Sequence, residues 1–439
     1  MPNIISFENK ALSEAYYKTV HSSGLTVYVY PKARSTSYVM LTAKYGSLER
    51  EFRLEGEKDF MRVPDGVAHF LEHKLFEEED GSDAFEKFAP LGASANAFTS
   101  FDMTSYLFST TDRLEEALSV LLSFVTHPHF TQENVKKEQG IIAQEIGMCD
   151  DEPWNRLYYS FLECLYREHN VRVNIAGTVQ TISEITPDIL YRCYRTFYQL
   201  SNMALVVSGN ISMEAVMKTV DSVIPDKAPT KRIICRYPEE TAEINCPYAE
   251  LKMAIATPLF AFGVKDIEEF STPADRIKRG VLLEMIGKAC FSRSAPFYNK
   301  LYTEGLLTKD IGYAFEAPNS CAYFIVTGES KKPIEIYERT KLLLQNLSDN
   351  IPSEEDFLRI KRAMYASHIR TFDSTESLAM ALTDTFINGT DPILEGELIA
   401  SLTYADFCAF AAEYFKDKEF VLSVIYPSEE TSADDGKEN

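Results

Sequence analysis

Residues 66–81 read GVAHFLEHKLFEEEDG, and within them two histidines and a glutamate fall in the order H-x-x-E-H. On a helix, positions i, i+3, i+4 and i+7 share a face. His69, Glu72, His73 and Phe76 therefore project together, while Phe70, Leu71 and Leu75 form an apolar stripe. Two imidazoles one turn apart are what a transition metal asks of a helix, and the glutamate beside them can move a proton without being a ligand. The chemistry implied is metal-assisted hydrolysis. The bland alternative is a polar face that happens to hold two of the 7 histidines.

A catalytic zinc takes three protein ligands and keeps one position open, so a third ligand is expected elsewhere. The stretch TQENVKKEQGIIAQEIG (131–147) supplies a candidate. With Thr131 as its cap, Val135, Glu138, Ile142 and Glu145 fall on one stripe with Ile141. Two carboxylates interrupting an apolar face are costly unless paired or metal-bound. Glu145 is assigned as the third ligand, and Glu138, two turns earlier, as a supporting carboxylate of the catalytic centre. His127 and His129 (THPHF) and His169 (YREHNVR) read as loop residues, and the run Glu77–Asp80 as a solvated helix end.

The elements that must position these groups come as two related sets. ITPDILYRCYRTFYQLSNMALVV (185–207) and LTYADFCAFAAEYFKDKEFVLSV (402–424) share a Thr cap, an amphipathic helix, an aromatic pair, a polar turn and an apolar strand. Residues 114–138 echo 334–360, and FEKFAPLG (85–92) echoes FYNKLYTEG (297–305). Three matches in one order at nearly one offset indicate duplication. Strands such as GLTVYVYP, YVMLTAKYG and MTSYLFST lie among helices, which predicts an α+β fold of two related domains, each a mainly antiparallel sheet packed with helices. The expected boundaries are a catalytic zinc-binding domain at 1–225, a linker at 226–247, a second domain at 248–427 and a disordered acidic tail at 428–439. The second half has no H-x-x-E-H, and the repeat sets Ile360 and roughly Ser367 opposite Glu138 and Glu145. It is expected to be catalytically inactive.

Composition narrows the class. A chain of 439 residues, 45% hydrophobic with 28 Phe and 24 Tyr, has ample material for large cores. A net charge of −22 argues against nucleic-acid binding. No apolar run reaches the roughly 20 residues of a membrane span, and the start MPNIISFENK has no signal-peptide pattern. The 8 cysteines are scattered without a C-x-x-C pair, which fits reduced thiols and a cytoplasmic location.

On these residues the sequence resembles the pitrilysin/insulinase family of zinc peptidases, in particular its small bacterial members built like a processing-peptidase subunit. H-F-L-E-H (69–73), Glu138 and Glu145 carry the likeness. GASANAFTSFDMTSY (92–106) resembles the family's active-site edge strand, and SNMALVVSGNI (201–211) the strand closing its first domain. The resemblance implies one Zn2+ per chain on His69, His73 and Glu145, with Glu72 as general base. It implies a peptide substrate added as a strand along Ala95, Asn96, Ala97 and Phe98. In the family an Arg and a Tyr seven residues apart hold the substrate carbonyl; here Tyr313 matches the tyrosine, but Tyr302 stands where the arginine is expected. A homologous inactive sister subunit, or a second copy of the chain, is the expected partner. The other expectation is a non-catalytic assembly subunit that keeps the fold alone.

Overall fold

The computed structural model describes residues 3–226, 230–267, 270–307 and 309–428. Residues 429–439 of the expected tail, and 227–229 of the expected linker, lie outside the described residues.

The first half opens with four strands, β1 (Ile5–Asn9), β2 (Glu14–Val20), β3 (Thr26–Pro31) and β4 (Ser37–Ala43). The short β5 (Glu51–Leu54) and β6 (Met61–Arg62) lead into helix α1 (Val67–Leu75), followed by the hairpin β7 (Ala93–Thr99) and β8 (Thr104–Thr110). Helices α2 (Leu114–Thr126), α3 (Gln132–Asp151), α4 (Pro153–Leu165), α5 (Val179–Ser183) and α6 (Pro187–Phe197) precede β9 (Met203–Gly209) and α7 (Met213–Val223).

After β10 (Ile233–Cys235), the second half runs β11 (Tyr248–Met253), β12 (Leu259–Asp266), α8 (Pro273–Phe291), α9 (Pro296–Thr303), β13 (Gly312–Glu316) and β14 (Ala322–Glu329). It closes with α10 (Pro333–Gln345), α11 (Glu354–Thr371), α12 (Thr375–Asn388), α13 (Pro392–Ser401), α14 (Tyr404–Glu413) and β15 (Phe420–Pro427).

The duplication is visible in the sheets. The first has the order β1-β2-β3-β9-β4-β8-β7 and the second β11-β15-β12-β14-β13. Each holds one parallel pair, β3 with β9 and β11 with β15, and is otherwise antiparallel. The sequence repeats land on matching elements: α6 and α14 begin at capping threonines, Thr186 and Thr403, and lead into β9 and β15.

Each sheet is covered on one face by its own helices and on the other by a helix of the other half. Leu157, Phe161, Leu162 and Leu165 of α4 pack on Leu259, Ala261, Val421 and Ile425 of the second sheet. Reciprocally, Leu378, Ala379 and Leu382 of α12 pack on Tyr28, Met40 and Val206 of the first. Central strands are thus buried on both faces, which is why MALVV of β9 and LFAFGV of β12 are continuous apolar runs and not alternating ones.

The described part of 226–247 is tied to the first half. β10 pairs antiparallel with β5, and Asn245 and Cys246 donate backbone hydrogen bonds to the Cys164 carbonyl.

Candidate metal centre

Helix α1 starts at Gly66, with φ at 90°, because a tight backbone crossing leaves no room for a side chain. A Cβ there would sit 2.4 Å from the Ala176 carbonyl oxygen, and one on Gly177 would sit 2.5 Å from that of Asp65. From this fixed start, Val67, Ala68, Phe70, Leu71 and Leu75 turn into the core. His69, Glu72 and His73 turn toward α3 and β7, as the spacing predicts.

Helix α3 begins with a reciprocal cap, the Thr131 hydroxyl accepting from the Asn134 N–H while the Asn134 side chain accepts from the Thr131 N–H. Its buried line is Val135, Glu138, Ile142 and Ile146. Ile141, expected on that stripe, is 45% exposed, since one residue of helix turns it about 100° away from Ile142. It lines the cavity beside His73 instead.

The two helices bring the predicted ligands together. The His69 and His73 rings are 4.6 Å apart, and both Nε2 atoms face Glu145, at 3.4 Å from Oε1 and 3.5 Å from Oε2 respectively. One ligand atom from each residue lies within 4.8 Å of the others. Such separations are long for charge-assisted hydrogen bonds and match the edges of a tetrahedron around zinc, whose ligands stand about 2.0–2.2 Å from it. His69 Nδ1 is buried with no hydrogen-bond partner among the described residues, so the ring's polar outlet is Nε2. The donor set of two imidazoles and a carboxylate fits zinc.

The supporting contacts are charged and buried. His73 Nδ1 lies 3.1 Å from Glu138 Oε1, which fixes the ring so that Nε2 faces the centre. Lys74, fully buried, forms an ion pair with Glu77 and stands 3.6 Å from Glu138 Oε2. Burial works to raise the Glu138 carboxyl, but the His73 hydrogen bond and the Lys74 charge outweigh it and hold it below the ordinary range. Burial works to lower His73, and Glu138 with the neighbouring carboxylates raises it on balance. The His69 contact holds Glu145 low.

Glu72 behaves oppositely. Burial lifts its carboxyl above the ordinary range, against the pull of the Thr99 hydroxyl, which donates to Oε2 at 2.6 Å, and of the two imidazoles. A glutamate whose carboxyl is raised by burial, beside the candidate ligands but not among them, is placed to exchange protons.

Sequence reasoning missed Thr99 and Lys74. Lys74 carried a signal, since it falls on the apolar stripe with Phe70 and Leu71. Thr99 carried none, because its contact with Glu72 depends on how β7 lies against α1.

Strand β7 is the edge of its sheet. Asn96 and Ala97 line a cavity of about 420 Å³ with Glu72, His73, Phe76, Phe85, Glu138 and Ile141. Ala95 and Phe98 are not in that lining; Ala95 packs on the first core and Phe98 on the side of α12. The structure does not bring Tyr313 to the metal centre of its own chain. Its hydroxyl is 3.5 Å from Glu284, and it lines a different cavity of about 520 Å³ with Asp102 and Arg276. Tyr302 lies on α9, 55% exposed and stacked on Tyr298. His127 closes the end of α2, hydrogen-bonded to the Ser123 carbonyl. His169 is buried against Ser320, and burial pushes it down to about 4.

Two family models match the chain: residues 26–179 fit "Insulinase (Peptidase family M16)" and residues 184–364 fit "Peptidase M16 inactive domain". An uncharacterized zinc protease of Bacillus subtilis (strain 168), YmfH, is 38% identical over 380 residues, covering 86% of this chain and 88% of the relative. A putative M16-like peptidase from Alicyclobacillus acidocaldarius superposes with a TM-score of 0.89 at 30% identity, over 97% of this chain and all of the other. A protease from Helicobacter pylori shares the fold, with a TM-score of 0.78 at 20% identity over 94% of this chain. The chain belongs to the M16 (insulinase) family of peptidases, whose relatives here are named zinc proteases.

Proposed function

We propose that this chain is a zinc endopeptidase acting on peptides or unfolded leader segments, and that it is the metal-carrying half of a heterodimer. The observation that supports the reading best is the meeting of His69, His73 and Glu145 beside Glu72, whose carboxyl burial raises, next to the sheet-edge strand β7.

In this reading His69, His73 and Glu145 hold one zinc ion per chain. When bound, zinc supplies a Lewis acid that acidifies water and polarises the scissile carbonyl. The substrate lies along β7 as an added strand, using backbone hydrogen bonds that tolerate varied side chains, with Asn96 and Ala97 nearest the reacting bond. Glu72 takes the proton of the attacking water at Oε1 or Oε2 and hands it to the leaving amine, while Thr99 keeps its carboxylate aimed. Glu138 holds His73 in the tautomer that presents Nε2.

A sister subunit enters because, among the described residues, the groups expected to hold the substrate carbonyl do not reach this site: Tyr302 stands where the resemblance expects an arginine, and Tyr313 lines another cavity. The second half, in which α8 occupies the place of α1 without a histidine, is read as inactive. Among the described residues no helix is long and apolar enough to cross a membrane, and the cysteines are free thiols, which supports a cytoplasmic site of action.

Metal analysis tests the reading. Protein purified without chelators should carry one zinc per chain, lost in His69→Ala and in Glu145→Gln. Wild-type protein without zinc would instead favour the assembly-subunit alternative. Full turnover by the isolated chain, unchanged by any sister subunit, would sink the heterodimer.

A further inference from the structure

Cys164, the penultimate residue of α4, is buried, and Cys246, partly exposed, lies two residues before β11. Their sulfurs are 3.1 Å apart, about 1 Å longer than a disulfide bond. The backbones are pinned as well. The N–H groups of Asn245 and Cys246 donate to the Cys164 carbonyl at 2.9 and 3.0 Å, and Asn245 Nδ2 donates to the Glu163 carbonyl at 2.8 Å. A main-chain hydrogen bond between the same two residues holds their Cα atoms within the roughly 4.4–6.8 Å that a disulfide spans. Closing the bond therefore asks for side-chain rotation and little else.

We infer that Cys164 and Cys246 form a redox pair that closes to a disulfide when the protein meets a peroxide. Cys246, the less buried residue of the two, attacks one peroxide oxygen as its thiolate. The O–O bond breaks, the departing hydroxide takes up the thiol's proton as water, and Cys246 is left as a sulfenic acid. Cys164 then attacks the sulfenic sulfur. The S–O bond breaks, and the departing hydroxide leaves as a second water with the Cys164 proton. The two thiols give up two electrons and the peroxide accepts them.

The bond would fasten the end of α4, the helix that the first half lays across the second sheet, to the segment entering that sheet at β11. It would close a long loop containing α5, α6, β9 and α7, and closing long loops restricts the unfolded chain most. Because only Glu152 separates α3 from α4, the helix bearing Glu145 is anchored through the same joint.

The test is peptide mapping of the full chain, purified reduced, treated with hydrogen peroxide and then alkylated. We expect a cross-linked peptide pair joining Cys164 to Cys246, two fewer titratable thiols, and a thermal midpoint several degrees above that of the reduced protein. Cys246→Ser should abolish both the cross-link and the shift. The inference is overturned if both sulfurs are alkylated after peroxide, if Cys246 ends as an unlinked sulfinic acid, or if the bond maps to other cysteines. An unchanged midpoint in cross-linked protein would overturn the stabilising role. The mapping uses wild-type protein, so it stands even if the variant fails to fold.

Discussion

At the scale of single residues, the site separates three kinds of carboxylate by environment. Glu145 is half-exposed and held low by His69; Glu138 is buried but compensated by His73 and Lys74; Glu72 is buried and lifted. Only the third has its carboxyl raised, which is what the proposed general-base role asks for. Glu72→Gln is accordingly expected to keep its zinc and lose about 10²–10⁴-fold in turnover, since the amide still accepts from Thr99 but has no proton to exchange. Metal analysis and peptide hydrolysis, run together on the same preparation, decide it. Loss of the metal in this variant would make Glu72 a ligand and the division of roles wrong.

At the scale of elements, two helices and an edge strand do the positioning, and each is fixed at an end. α3 is fixed by its Thr131 cap and α1 by the crossing of Asp65–Gly66 over Ala176–Gly177. Gly66 has both a positive φ and no space for Cβ, so its substitution strains the backbone and displaces the start of α1. Gly66→Ala is expected to cost on the order of 2 kcal/mol or more and to weaken zinc binding, because His69 sits in the first turn. Denaturant midpoints and chelator competition measure the two effects; wild-type values in both would show that α1 is held elsewhere. The spacing of H-x-x-E-H made this face of α1 legible in advance, and the Thr131 cap did the same for α3. The position of β7 was legible only through the family resemblance, because nothing local to ASANAFT says which helix its edge will meet.

At the scale of the whole molecule, the halves are interlocked by exchanged helices, α4 on the second sheet and α12 on the first. A polar thread joins them too. Glu49, buried in the first half, accepts from the Gly46 N–H at 2.8 Å and from the Tyr237 hydroxyl at 2.9 Å, and that hydroxyl accepts from Asn319 of the second half at 2.8 Å. Burial pushes Glu49 up to about 7, against these two donors. The folded state therefore holds a proton that the unfolded chain releases near pH 4.5. Its contribution is fully present below that pH and is lost as pH rises toward 7. Glu49→Gln should gain stability relative to wild type across this window, by about 3 kcal/mol at most. Unfolding free energies at pH 5 and pH 8 provide the check, and a difference independent of pH would reject the assignment.

The sequence by itself determined whatever is periodic or local. The helix faces at 69–76 and 135–145, the capping threonines, the continuous apolar strands and the order of the duplicated elements all follow from spacing and from side-chain chemistry within a few turns. Glu138 was legible this way because a carboxylate on a buried stripe is an anomaly that burial alone makes expensive, whereas Glu145 stands at the half-exposed margin of that stripe. Only the tertiary structure decided which groups meet across long separations: Thr99 on Glu72, Lys74 on Glu138, Cys246 on Cys164. It also turned Tyr313 toward Glu284. Such contacts depend on how whole sheets and helices stack, and no local pattern encodes the angle at which two distant elements cross.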